Sequence, residues 1–289
     1  MSAPPEPPPE NAGDSSRKHL TNLQIRIVSA IVLAVVILGL VWLGGVVCRI
    51  LAALVAAIVY YEWAAMRRLP TGSLHQWTSA LCLAAVLALL ILDVDARTLF
   101  AATTVAVAVA AAHGWWSGDG FWNASGIAYA GVSGITLALI RNDDQAGLIA
   151  LLFLFAVVWA TDVFAYFAGR TIGGPKLAPS ISPSKTWSGA IGGAVGGLAA
   201  GALCAVLAGS GGAWMALVAL MLAIVSQFGD LLESFLKRRQ GVKDSSHLIP
   251  GHGGLMDRVD GLVAAGWALY VVGALLGSAD NPASGLLGG

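Results

Sequence analysis

Charge is what this sequence has least of. Of its 289 residues only 11% are Asp, Glu, Lys or Arg, while 57% are hydrophobic. A soluble domain carries about 25% charged residues, so the composition excludes that class and implies a polytopic membrane protein. Cysteine is scarce too. Cys48, Cys82 and Cys204 lie inside apolar runs, with no CxxC or Cys/His spacing, and read as small buried hydrophobes. There is no GxxxxGK[ST] phosphate loop, no GxSxG nucleophile elbow, no solenoid period and no inverted repeat. No cleavable signal peptide is visible either. The start of the chain, through Gln24, is polar and Pro-rich (PPEPPPE), too long and too acidic for an n-region, and reads as a disordered tail.

What is present is a series of nine apolar stretches, each near the roughly 20 residues that cross a bilayer core. They are Ile25–Gly45, Val46–Met66, Gln76–Leu92, Arg97–His113, Phe121–Ile140, Ala146–Ala168, Trp187–Ala208, Ala213–Leu236 and Leu255–Gly277. The expected fold is therefore an all-α, polytopic bundle of about nine transmembrane helices. It divides into a tail at 1–24, N-terminal membrane helices at 25–140 and a C-terminal catalytic region at 141–289. With the N-terminus in the cytoplasm, all 16 Lys and Arg except Arg49, Arg97 and Arg141 fall on the inner side. Gly/Ala runs such as Gly189–Gly197 read as helix-packing surfaces.

The charge that does exist is concentrated. The stretch from Ser234 to Asp260 packs Lys237, Arg238, Arg239, Lys243 and Arg258 against Asp244, Asp257 and Asp260, around a Pro-Gly-His-Gly-Gly turn. Asp230, Glu233 and Lys237 are spaced i, i+3, i+7 and share one face of the eighth span. Asp257 and Asp260 share a face of the ninth. If the intervening loop returns to the same membrane surface, Asp230, Asp257 and Asp260 gather oxygens suited to a hard divalent cation. The alternative is an ion-pair network neutralised by Lys237 and Arg258, with Glu233 paired to Lys237. Asp162, near the end of the sixth span, reads equally as a helix-packing hydrogen bond or a site residue.

A second polar stretch runs from Arg170 to Trp187. Gly173, Gly174, Pro175, Pro179 and Pro183 predict an irregular loop. It offers the Ser180, Ser182, Ser184 and Thr186 hydroxyls with Lys176 and Lys185, a set suited to phosphate oxygens or to a solvated loop. His252, between glycines, reads as a turn residue or as a ring brought close to a ligand.

At these residues the chain resembles the phosphatidate cytidylyltransferases, or CDP-diacylglycerol synthases. The family pattern S-x-L-K-R, then K-D, then H-G-G-x-x-D-R-x-D is met by Ser234, Lys237-Arg238, Lys243-Asp244, His252-Gly253-Gly254, Asp257-Arg258 and Asp260. AYFAGR and SPSKT upstream are similar to the same family. Ser188 departs from it, standing where many members carry an acid.

The resemblance implies transfer of CMP from CTP to phosphatidic acid, giving CDP-diacylglycerol and pyrophosphate, at the cytoplasmic face of the inner membrane. It implies catalytic roles for Asp230, Asp257, Asp260, Lys237 and Arg258, with the three aspartates holding magnesium and room for a second cation. Ser182, Lys185, Thr186, Arg238, Lys243, Asp244, His252, Gly253 and Gly254 are the implied substrate-binding residues. Expected partners are CTP, phosphatidic acid and the bilayer, with a homodimer as a candidate assembly and no nucleic acid. The rival readings are a CTP-dependent polyprenol or dolichol kinase, a CDP-archaeol synthase-like enzyme, and an ion-coupled transporter using the same acids. A CDP-alcohol phosphatidyltransferase would need D-G-x-x-A-R, which is missing.

Overall fold

The computed structural model describes residues 32–67, 74–118, 120–209, 212–246, 248 and 253–287. Two compact units divide the chain, 1–43 and 44–289. The described part of the first is one apolar helix, α1 (Val32–Leu43). It falls within the first expected span; the beginning of that span, and the Pro-rich tail at 1–24, lie outside the described residues.

Among the described residues, the second unit contains eight helices long and apolar enough to cross a membrane. They are α2 (Gly45–Met66), α3 (Leu74–Ile91), α4 (Ala96–Ser117), α5 (Trp122–Arg141), α6 (Gln145–Thr171), α7 (Trp187–Leu207), α8 (Ala213–Arg239) and α9 (Met256–Leu276). Each coincides with one of the other eight expected spans. A short helix, α10 (Pro282–Leu287), follows and was not anticipated. Its approach is held by side chains of the preceding turn: Asp280 accepts from the Ala96 amide at 2.6 Å, and Asn281 donates to Asp144 at 2.7 Å.

Helix starts follow local chemistry. Asp95 accepts from the Thr98 amide at the head of α4, and Asp144 accepts from the Gly147 amide at the head of α6. Such caps satisfy amides that have no partner inside the helix. The Thr98 hydroxyl and amide also hold the Asp95 carboxyl below the usual carboxylate range. Arg49, on α2, pairs with Asp93 at 2.8 Å and Asp143 at 3.4 Å, tying the α3–α4 and α5–α6 turns together.

Small residues set the helix spacing. α5 is the most deeply buried span, which accounts for its Gly/Ser-rich composition: it faces other helices more than lipid. A Cβ on Gly126 would stand 2.6 Å from the Trp63 ring, so this glycine admits that indole between α2 and α5. Along α7, Gly189, Gly193, Gly197 and Gly201 form a buried stripe. A Cβ on Gly197 would meet Thr161 Oγ1 at 2.3 Å, and one on Gly201 would meet Ala219 Cβ at 2.3 Å. The Gly/Ala run is therefore a packing surface, holding α7 against α6 and α8.

The polar stretch before α7 is more regular than its composition predicts. Strands β1 (Lys176–Ala178) and β2 (Ser182–Thr186) form an antiparallel hairpin, with Lys176 opposite Thr186, Ala178 opposite Ser182, and an irregularity between. Pro183 fits because each strand of a two-stranded ribbon is an edge, where a missing amide donor is tolerated. This hairpin corrects the expected irregular loop and leaves the helical architecture unchanged.

Candidate active site

One end of the bundle carries a cleft of about 630 Å³, walled by the C-terminal turns of α6 and α8, the hairpin, and the first turns of α7 and α9. At 27 residues, α8 is about 40 Å long at 1.5 Å per residue. It exceeds a hydrocarbon core of about 30 Å, so its Lys237, Arg238 and Arg239 turn can reach polar surroundings. Basic side chains there also suit the negative end of the helix dipole.

Carboxylates and cations alternate around the cleft. Lys185, from β2, pairs with Asp230 of α8. Lys237 stands 3.1 Å from Glu233, one turn back, and 2.6 Å from Asp257 at the start of α9. Glu233 is 1% exposed, so its carboxyl lies in the protein beneath the cleft. Asp162 and Asp260 line the same cavity. Among the described residues, neither is within ion-pair distance of a cation. Arg170 and Arg258 complete the basic lining, and Arg170 donates to the Tyr166 hydroxyl at 2.8 Å. Asp230 and Asp260 come onto facing helices because of Gly229. A Cβ there would meet Ala264 Cβ at 2.5 Å and the Asp260 carbonyl at 2.8 Å, so only glycine permits this closeness of α8 and α9.

The remaining expected site residues have varied positions. Lys185 and Thr186 line the cleft, but Thr186 is buried, caps α7 through the Gly189 amide at 3.1 Å and meets Ser188 Oγ at 3.0 Å. Ser188, at the family-divergent position, donates to the Gly173 carbonyl. Ser182 is paired in the hairpin, while the neighbouring Ser184 lines the cleft. Arg238 is exposed and reaches the Ile181 carbonyl at 3.5 Å, bracing the hairpin turn. Lys243 and Asp244 are exposed and stand off the cleft lining. His252 lies outside the described residues.

Asp257 organises the loop beside it. Its Oδ2 accepts from the Gly254 amide at 2.9 Å and the Ser245 amide at 3.1 Å, in addition to the Lys237 contact on Oδ1. Gly253 has φ +81, a left-handed backbone that favours glycine. A Cβ on Gly254 would come within 2.8 Å of both Glu62 oxygens. These glycines thus make room for two carboxylates of the protein itself. Glu62, fully buried on α2, is the residue that the sequence reading missed. Its signal was present: an acid inside an apolar span is costly unless it has a defined partner.

Asp162, Asp230 and Asp260 place hard oxygen donors around one cavity, the donor chemistry that magnesium takes. Among the described residues no three His, Cys, Asp or Glu side chains form a ready-made metal cluster. The donor set fits such an ion in kind; Lys185 engages Asp230, while Lys237 holds the neighbouring Asp257.

Comparison with known proteins assigns the family. Residues 24–276 match the cytidylyltransferase family. A phosphatidate cytidylyltransferase of Brucella suis is 46% identical over 269 residues, covering 92% of this chain and 98% of the relative. One from Brucella abortus is 47% identical over 265 residues, covering 90% and 97%. A third, from Staphylococcus saprophyticus, is 32% identical over 247 residues, covering 82% and 94%. With a match running through nearly all the spans and through every wall of the cleft, this chain belongs to the cytidylyltransferase family.

Proposed function

We propose that the chain is a phosphatidate cytidylyltransferase, joining CMP from CTP to phosphatidic acid with release of pyrophosphate. The observation that carries this reading is the cleft itself. It brings Lys185, Lys237, Arg170 and Arg258 together with Asp162, Asp230, Asp257 and Asp260 at one end of a membrane bundle.

The chemistry suits those groups. A phosphate oxygen of phosphatidate attacks the α-phosphorus of CTP; the new P–O bond forms as the bond to the β-phosphate oxygen breaks, and pyrophosphate leaves with its electron pair. The nucleophile is already ionised at neutral pH, so no strong general base is required. The barrier lies in bringing two polyanions together and stabilising the leaving group, a task for fixed cations and positioning. Lys185, Lys237 and Arg258, which line the cleft, are the proposed phosphate partners, with Arg238 and Lys243 outside its lining, the Ser182 and Thr186 hydroxyls and His252 with its glycines as further proposed substrate contacts. Asp230 and Asp260, with Asp257 as a third carboxylate, would hold magnesium. When bound, the ion supplies neutralisation of phosphate charge. Lys185 and Lys237, now on Asp230 and Asp257, would turn to the substrate phosphates.

The lysine and arginine distribution supports a cytoplasmic cleft and a multi-pass inner-membrane protein, where CTP is available. A homodimer is compatible with the lipid-facing surfaces that the bundle leaves. Purified protein supplied with α-labelled CTP, magnesium and phosphatidate should release pyrophosphate and accumulate a labelled CMP-lipid. Absence of that product with several phosphatidates would overturn the reading, and transfer of the γ-phosphate to a lipid alcohol would replace it with a kinase.

A further inference from the structure

Glu62 belongs to α2, in the half of the chain that contributes no residue to the cleft lining, and it is 0% exposed. Its Oε1 accepts from Ser246 Oγ at 2.6 Å and the Leu255 amide at 2.8 Å. Its Oε2 accepts from the Met256 amide at 2.6 Å and Ser245 Oγ at 3.3 Å. An ionised carboxylate offers about four acceptor positions, so this one is filled. Two of the four donors are Ser245 and Ser246, within the loop that joins α8 to α9, and the other two are amides at the start of α9.

α9 supplies no cap of its own, since Leu255 at its N-cap has no side-chain acceptor. The amides of a helix start need partners, and a negative charge there is favoured by the helix dipole. Glu62 provides both from another helix. The first turn held in this way carries Asp257, and Asp260 follows one turn on. The surroundings fit the reach of this side chain. A Cβ on Gly254 would clash with Ser245 Oγ at 1.9 Å. The rotation of α2 is fixed next door: Trp63 and Trp122 exchange indole-to-carbonyl hydrogen bonds of 3.0 and 2.9 Å, with ring centroids 4.9 Å apart.

We propose that Glu62 is a positioning residue for the transfer reaction. It clamps the loop at 245–246 to the start of α9, so that Asp257 meets Lys237 and Asp260 faces Asp230. Glu62 does not line the cleft and acts through those aspartates. The inference rests on the proposed cytidylyl transfer for its kinetic consequence, but the clamp can be read without it.

Glu62→Gln is the decisive variant. Each Glu62 oxygen accepts a backbone amide, so either orientation of the glutamine sets its NH2 against an N–H. Turnover per monodisperse enzyme should fall about 10²-fold, the scale of a misplacement near 1 Å, with little change in the KM for CTP. Amides of Leu255 and Met256 should exchange faster with deuterium while those of α6 and α7 exchange as in wild type. The pair Ser245→Ala and Ser246→Ala should shift both readouts the same way by less. Unchanged turnover per folded E62Q enzyme would overturn the proposal, as would a loss explained wholly by reduced folded yield. If E62Q does not fold, the double serine variant decides: wild-type turnover with wild-type exchange at Leu255 overturns it. Wild-type protein that makes no CMP-lipid would refute the proposed function, whereas amide exchange would still report on the clamp.

Discussion

Lys237 Nζ lies 2.6 Å from Asp257 Oδ1 and so joins the last turn of α8 to the first turn of α9. The same ammonium is 3.1 Å from Glu233, whose side chain is 1% exposed, so one cation serves two acids in a little-hydrated place. That shared ion makes stability and catalysis separable by mutation.

Lys237→Met should destabilise the protein by about 3–5 kcal/mol, the usual cost of stranding a buried ionic partner. Adding Glu233→Gln should recover part of that loss, because the stranded carboxyl is then neutral, while turnover stays low. Thermal unfolding in detergent, followed alongside CMP-lipid formation, checks both. A double variant no more stable than K237M would show that Glu233 is not the stranded partner.

Asp257→Asn leaves size and packing nearly unchanged but weakens the contacts to Lys237, Ser245 and Gly254. Turnover should drop by about 10²–10³-fold, the range for loss of one preorganised electrostatic group, in protein that elutes as wild type. Activity near wild type would remove Asp257 from the chemistry.

The proposed magnesium requirement has its own signature. Chelation should abolish turnover and added magnesium restore it, with Asp230→Asn and Asp260→Asn each raising the magnesium concentration for half-maximal rate. Manganese binding followed by electron paramagnetic resonance should weaken in both variants. Binding that is the same in wild type and variants would move the ion elsewhere.

Gly229→Val tests helix spacing, since its side chain would press on Ala264 and on the Asp260 backbone. We expect turnover to fall more than about 10-fold as the facing aspartates separate, with membrane insertion retained. A fully active G229V enzyme would mean that α8 and α9 can part without disturbing the site.

Membrane orientation is open to labelling. Ser180, at the exposed hairpin turn, and Ser278, beyond α9, should lie on opposite sides. In an otherwise Cys-free protein, Ser180→Cys should react with an impermeant maleimide only from the cytoplasmic side, and Ser278→Cys only from the other. The reverse pattern would place the cleft away from CTP.

Much of this was legible in the chain alone. Apolar run lengths placed eight spans of the second unit, because a helix crossing lipid must satisfy its own backbone and show apolar side chains over a fixed length. The spacing of Asp230, Glu233 and Lys237, and of Asp257 and Asp260, assigned them to helix faces, since those distances are local and periodic. The hairpin escaped because strands of three and five residues, broken by proline, carry too little periodicity to read.

The helical membrane class, the identity of the charged segment and the resemblance that names its chemistry are all written in the order of residues. Tertiary structure decided which charges meet. It paired Lys185 with Asp230 and Lys237 with Asp257, set Gly253 and Gly254 against the Asp257 and Glu62 carboxylates, and brought Glu62 from the second helix to the head of the ninth. The reason is physical. Periodicity reports the side of one helix on which a residue lies, whereas a contact between helices depends on their crossing, which close packing at Gly229, Gly126 and the α7 glycines sets.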